Sequence, residues 1–316
     1  MQQRHLGNTG LKVSRLGLGT LGWAQETDEH EAKEELLTFV AAGGTLVDTA
    51  ANYSEGESER LLGSLLGSVV PRDEVVVATK AGISWHGGVR RVDVSRAGLL
   101  RTLDASLARL GVDFIDLWQV QRWSDEVPFE ETLSALDFAV SSGRVAYAGI
   151  SNYNGWQTAR AATWQEANHS RVRLASTQVE YSLLNRDPEH DVLAAASACG
   201  MGVLAWSPLG RGVLTGKYQH SIPGDSRAAD DELAAFVAPY LGEPHRGVVS
   251  AVVRAAQGLG HTPVEVALAW VRDRPGVTSA IVGSRNVHQL KQALSVEDVT
   301  LPPEIAAALN DASAHV

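Results

Sequence analysis

Four side chains suited to proton chemistry punctuate the first part of the sequence: a carboxylate at Asp48, a phenol at Tyr53, an ammonium at Lys80 and an amide at Gln121. They stand at or just past the ends of short apolar runs, "TLVDTA" (45–50), "EVVVATK" (74–80) and "FIDLWQV" (114–120). Such runs predict strands buried on both faces. A carboxylate and an ammonium ending adjacent buried strands are tolerable mainly as a pair. A cation close to a phenol favours the ionised form and lowers its pKa. Lys80, held by Asp48, therefore predicts Tyr53 as proton donor to a developing alkoxide, which suits reduction of a carbonyl. The competing reading is a salt bridge that only closes the mouth of a barrel. A strand that ends on an amide needs a bonded or ligand-facing site for it. Gln119, two residues before Gln121, points the same way by strand parity and is expected to support Lys80 or Gln121.

The elements that must position these groups recur along the whole chain. Besides the three runs above, "RLGLGT" (15–20), "VAYAGIS" (145–151), "LASTQVE" (174–180), "MGVLAW" (201–206) and "TSAIVG" (278–283) read as strands. Amphipathic, capped stretches lie between them. Asp28 opens a helix that carries Ala32, Leu36, Phe39 and Val40 on one face and ends at Gly43-Gly44. Asp187-Pro188 and Thr262-Pro263 each place an N-cap before a first-turn proline, and Glu265 completes a capping box with Thr262. Eight alternations of strand and helix predict a single-domain (β/α)₈ barrel over 1–316, with its site at the C-terminal strand ends. An open doubly wound sheet is the alternative. The connection 208–245 is long, with a short helix expected near 230–238, and long loops of this kind often cover ligands. "GLGTLG" (17–22) fits a dinucleotide fingerprint, but no helix opens at its glycines, so that reading is rejected.

Composition narrows the classes. The net charge is −10 without a Lys/Arg cluster, which argues against nucleic acid and against anionic membrane as partners. Cys199 is the only cysteine, so no internal disulfide exists, and it reads as a small core residue. The first ten residues carry no apolar h-region, and the uncharged stretch 192–210 reads as a helix, a glycine stop and a strand rather than a span. A cytoplasmic protein is expected. The ten histidines show no metal-ligand spacing, and no G-x-S-x-G elbow or Walker motif is present.

Several motifs carry a resemblance: "VDTAANYSEGESERLLG" (47–63), "VVATKAG" (76–82), "DFIDLWQVQRW" (113–123), "GISNYN" (149–154), "TQVEYSLLNR" (177–186), "WSPLGRGVLTGKY" (206–218) and "AIVGSRNVHQL" (280–290). In this order and spacing they resemble the aldo-keto reductases over nearly the whole chain. The resemblance implies a (β/α)₈ barrel that binds NADPH without a dinucleotide domain. It places Asp48, Tyr53 and Lys80 on three of four catalytic positions, and Gln121 where the family usually has histidine. Ser151, Asn152 and Gln178 match positions holding the nicotinamide carboxamide, and Trp206 the ring stacked on the nicotinamide. Ser207, Leu209, Arg211 and Lys217 match the loop crossing the pyrophosphate. Ser284, Arg285 and Gln289 match positions around the 2′-phosphate, and Gly19, Thr20, Asp48 and Gly283 complete the implied cofactor set.

A guanidinium grips a phosphate through two parallel bonds but gains little from a ribose hydroxyl, so Arg285 predicts NADPH over NADH. Gln121 can donate an N–H to oxygen but cannot relay a proton. The family-implied function is an NADPH-dependent reductase of an aldehyde or ketone. Reduction of a conjugated enone or oxidised sugar, or a low-turnover NADPH-binding sensor or partner subunit, stays open. Ala293 stands where the family often has an asparagine that reaches the adenine. Trp23, Trp85 and Trp123 follow the first, third and fourth strands and are expected to wall the substrate site, whereas Trp156 and Trp164 read as outer packing. The partner implied is a small carbonyl substrate. A homo-oligomer is left open, and no metal is expected.

Overall fold

Each apolar run becomes one stave of a barrel. In the computed structural model, which describes residues 1–86, 89–224, 226–230 and 233–316, the staves are β1 (Leu16–Gly19), β2 (Leu46–Asp48), β3 (Val76–Ala81), β4 (Ile115–Val120), β5 (Val145–Ser151), β6 (Leu174–Glu180), β7 (Gly202–Trp206) and β8 (Val277–Gly283). All pair in parallel and close in the order β6-β7-β8-β1-β2-β3-β4-β5. This is the expected (β/α)₈ architecture. Gly17 and Gly19 of the rejected fingerprint lie in β1, where an added Cβ would meet Ile281 side-chain atoms at 2.5 and 2.9 Å. Close packing inside the barrel, not a phosphate, accounts for them.

The barrel interior is divided by level. Its lower part is apolar: Leu46, Ala78, Leu117, Leu204 and Ile281 pack with Leu6 and Val13. Those last two flank or lie in an N-terminal hairpin, Gln3–His5 paired with Lys12–Ser14, which plugs the floor. The upper part is polar and carries Asp48, Lys80, Gln119, Gln121 and Gln178, all buried. Alternation along the strands produces this split, because residues two apart share a face.

Around the barrel run α1 (Glu29–Ala41), α2 (Glu57–Leu65), α3 (Arg96–Leu110), α4 (Phe129–Ser141), α5 (Gly155–Glu166), α6 (Val192–Ala198), α7 (Ala234–Val237), α8 (His245–Leu259), α9 (Pro263–Arg272), α10 (Val287–Leu294) and α11 (Pro303–Ala312). Asp28 caps α1 through the Glu31 N–H, and Thr262 with Glu265 forms a reciprocal capping box on α9. Asp187 departs from its expected role. Residues 187–189 form a 3₁₀ turn without a side-chain cap, and Asp191 precedes α6. The Asp191 carboxylate instead accepts from the Gly155 N–H at 2.8 Å, serving the first turn of α5.

The stretch 192–210 is a helix followed by β7, and among the described residues no helix is long and apolar enough to cross a membrane. Cys199 is only half-buried, and burial raises its thiol pKa. In the long connection after β7 the expected helix reduces to α7; the expected helical residues 231 and 232 lie outside the described residues. A hairpin that the sequence reading missed, Ile83–His86 with Val89–Val92, follows β3.

Candidate active site

Strand ends β2 and β3 bring the charged pair together. Lys80 Nζ donates to Asp48 Oδ2 at 2.7 Å and to the Thr49 carbonyl at 2.8 Å, and both charged side chains are almost fully buried. The second carboxylate oxygen, Oδ1, accepts from Gln178 Nε2 at 2.8 Å across the barrel. Each oxygen of Asp48 thus accepts from a donor, as a buried carboxylate requires. Burial presses on the Lys80 ammonium, but Asp48 and Tyr53 together hold its pKa above the ordinary lysine value.

Tyr53 enters from the turn after β2. Ser54 and Glu55 adopt left-handed backbone (φ 46° and 55°), and the Ser54 hydroxyl anchors the turn on the Trp23 carbonyl at 3.0 Å. This strained turn swings the phenol over Lys80, whose Nζ lies 5.3 Å from the ring centre. The residue types alone predict a lowered phenol pKa. The outcome is the reverse: burial is the largest influence and raises it, Lys80 pulls it down through charge and hydrogen bonding, and Asp48 opposes Lys80. Tyr53 therefore holds its proton throughout the neutral range, while Lys80 limits the cost of losing it.

These groups floor a cavity of about 800 Å³. Its lining includes Gly19, Asp48, Tyr53, Lys80, Gln121, Ser151, Asn152 and Gln178. Trp206, Ser207, Leu209, Arg211, Lys217, Gly283, Ser284, Arg285 and Gln289 line it too, with the exposed Trp85. Three expected residues fall elsewhere. Thr20 is buried, with its hydroxyl on the Asp48 carbonyl and accepting from Ser58 at 2.8 Å. Trp23 is wholly buried, its indole N–H bonded to Glu35 of α1 at 2.8 Å, so it packs the core instead of walling the pocket. Trp123 belongs to an aromatic cluster with Phe129, Tyr153 and Trp156 and also lies outside the lining.

Around the cavity, Asn152 (φ 57°) ties three elements together. Its amide N–H donates to the Gln121 carbonyl at 2.9 Å, and its Oδ1 accepts from the Trp206 indole at 3.0 Å. Ser151 donates to the Gln178 carbonyl at 2.9 Å. Gln119 supports neither Lys80 nor Gln121 as expected; its Oε1 accepts from Ser176 at 3.4 Å, on the β6 side. Gln121 lines the cavity with its Oε1 buried and unpartnered. Arg211 is clasped by both oxygens of Glu180, at 2.8 and 2.5 Å, and stacks over Phe236. The Glu180 clasp was missed, although Glu180 ends β6 in plain view. Arg227 was also missed; its ion pair with Glu26 at 3.0 Å links the long connection to the loop after β1. Arg90 and Arg122 line the cavity as well, and only their places beside Trp85 and Gln121 could have flagged them.

With that geometry in view, the comparisons with known proteins agree. A profile of the Aldo/keto reductase family matches residues 15–314. The chain belongs to the aldo/keto reductase family. It is 36% identical, over 98% of its length and 95% of the other's, to an uncharacterized oxidoreductase, YrpG, of Bacillus subtilis (strain 168). It is 33% identical, over 96% and 94%, to a probable voltage-gated potassium channel subunit beta of Oryza sativa subsp. japonica. It is also 33% identical, over 92% and 86%, to an L-glyceraldehyde 3-phosphate reductase of Escherichia coli O157:H7.

Proposed function

We propose that this oxidoreductase reduces an aldehyde or ketone at the expense of NADPH, with Tyr53 as proton donor. The observation that carries the reading is the buried Asp48–Lys80 pair beneath the Tyr53 ring at the cavity floor. The lining suits the dinucleotide. The Trp206 ring and the amides of Asn152 and Gln178 suit a nicotinamide, and the cations Lys217 and Arg285 suit phosphates. Ser284 adds a buried hydroxyl to the lining, beside Glu35. NADPH, when bound, would supply a hydride for the carbonyl carbon. Tyr53 then delivers its phenolic proton to the carbonyl oxygen, and Lys80 stabilises the phenolate left behind. Asp48 keeps Lys80 seated and charged. Gln121 faces the same space and orients the substrate oxygen without relaying a proton.

Spectrophotometry of NADPH oxidation over a panel of aldehydes, diketones and enones tests this. Tyr53→Phe should lower turnover by about 10²–10⁴-fold, the usual worth of a positioned acid; near-native turnover refutes the role. Fluorescence titration should show NADPH bound more tightly than NADH. A second reading, an NADPH-binding subunit of a larger assembly, is favoured by Gln121 and by the channel-subunit relative. It predicts tight NADPH binding, no turnover across the panel and recovery of a protein partner.

A further inference from the structure

We propose that the carbonyl substrate carries an anionic group, a phosphate or a carboxylate, held by Arg90 and Arg122 at the cavity mouth. This deepens the reductase reading and rests on it for the position of the carbonyl.

Arg122 follows Gln121 directly, and Arg90 sits opposite Trp85 in the hairpin after β3. Both line the cavity. Among the described residues neither forms an ion pair, whereas Arg211 and Arg227 of the same lining are each neutralised by a glutamate. The only carboxylate among the described lining residues is Asp48, which Lys80 already occupies. The two guanidiniums also feel each other: burial and the charge of Arg122 both depress the Arg90 pKa. Both side chains are exposed at the mouth, so water screens their repulsion, and an oxyanion reaching them gains charge-assisted bonds from two guanidiniums that no carboxylate among the described residues holds.

Topology separates this pair from the coenzyme phosphates. In the closed order β6-β7-β8-β1-β2-β3-β4-β5, the loops after β3 and β4 lie three to four strands away from those after β7 and β8. Lys217 and Arg285 belong to the latter loops, so Arg90 and Arg122 face them across the mouth. A second anion is therefore expected there, with Tyr53 and Gln121 lining the space they share. Guanidinium forks match carboxylate and phosphate oxygens in two parallel bonds, which a neutral substrate cannot use.

The test compares kcat/KM for three aldehydes of matched length ending in phosphate, carboxylate or hydroxyl, with wild type, Arg90→Gln, Arg122→Gln and the double variant. The anionic aldehydes should be preferred by the wild type. Each single substitution should lower the anionic-to-neutral ratio about tenfold, the size of one charge-assisted hydrogen bond, and act mainly through KM. The phosphate and carboxylate arms distinguish the two sources of the oxyanion. Equal ratios for wild type and double variant overturn the proposal. In parallel, calorimetry of NADP-saturated protein with a non-reactive alkyl phosphate and an alkyl carboxylate reads the arginine pair without turnover. Binding lost in the double variant supports the pair even if no aldehyde is reduced, an outcome that would defeat only the reductase reading. Binding equal in wild type and variant, or absent from both, overturns the anion site.

Discussion

Replacing Lys80 by methionine keeps the length and apolar stem of the side chain but removes its charge. Asp48 then keeps only the Gln178 bond on Oδ1, and the Thr49 carbonyl loses its donor. Because the pair is almost wholly buried, solvent cannot compensate, and stranding one charge of such a pair costs about 3–5 kcal/mol. That is a large share of the roughly 5–15 kcal/mol that separates folded from unfolded proteins. Urea unfolding near pH 7, followed by far-ultraviolet circular dichroism, measures it. Lys80→Met should lose about 3 kcal/mol or more, and Asp48→Asn/Lys80→Met should recover much of that loss by removing the stranded carboxylate. The sign of the pH dependence follows from the raised Lys80 pKa. The folded protein holds this proton more tightly than the unfolded chain, so the stabilisation is complete below the ordinary lysine value and fades as pH climbs through the higher folded value. A Lys80→Met loss under about 1 kcal/mol, or a double variant no more stable than the single one, refutes the reasoning.

Two further outcomes are expected. Glu35 is buried on α1 with one oxygen on the Trp23 indole, and burial raises its pKa against the opposing pull of the Ser284 and Trp23 donors. Stability should therefore fall as pH rises from the ordinary carboxylate range through the folded value; Glu35→Gln, which keeps an acceptor for Trp23, should melt higher than wild type near pH 8 and lose that advantage in acid. At Gly63, an added Cβ would lie 2.5 Å from the Arg109 carbonyl oxygen and 2.8 Å from Leu110 backbone atoms. Alanine gains about 0.5–1 kcal/mol of helix preference there, but forcing α2 from α3 should cost about 1–3 kcal/mol and win, which thermal denaturation would show as a net loss.

The eight strands were legible because both faces of each are covered, so burial writes itself as an uninterrupted apolar run. The Asp48–Lys80 pair was legible for a related reason: charges inside such runs have little choice of partner. Residues whose environment comes from distant chain were not. Glu35 sits between Glu34 and Leu36 and looks solvent-facing until Trp23 folds back onto it. Trp23 and Trp123 follow the right strands, yet strand order does not say whether a loop turns its indole inward to the pocket or outward to a helix. The phenol shift at Tyr53 was misjudged because the nearby cation is visible in the residue types, while the amount of protein crowded around the hydroxyl is not. Arg211 shows the same limit: its place in the loop was readable, its capture by Glu180 was not.

The plug at the barrel floor has a consequence for biosynthesis. Leu6 and Val13 leave the ribosome before any stave, but the apolar cluster they belong to includes Leu46, Leu117, Leu204 and Ile281, the last of them in β8. That segment must therefore wait, greasy and unpaired with its seat, until β8 has been made. Its two strands join each other with a short hairpin in the meantime, which shields part of that segment while the rest of the cylinder is still being made.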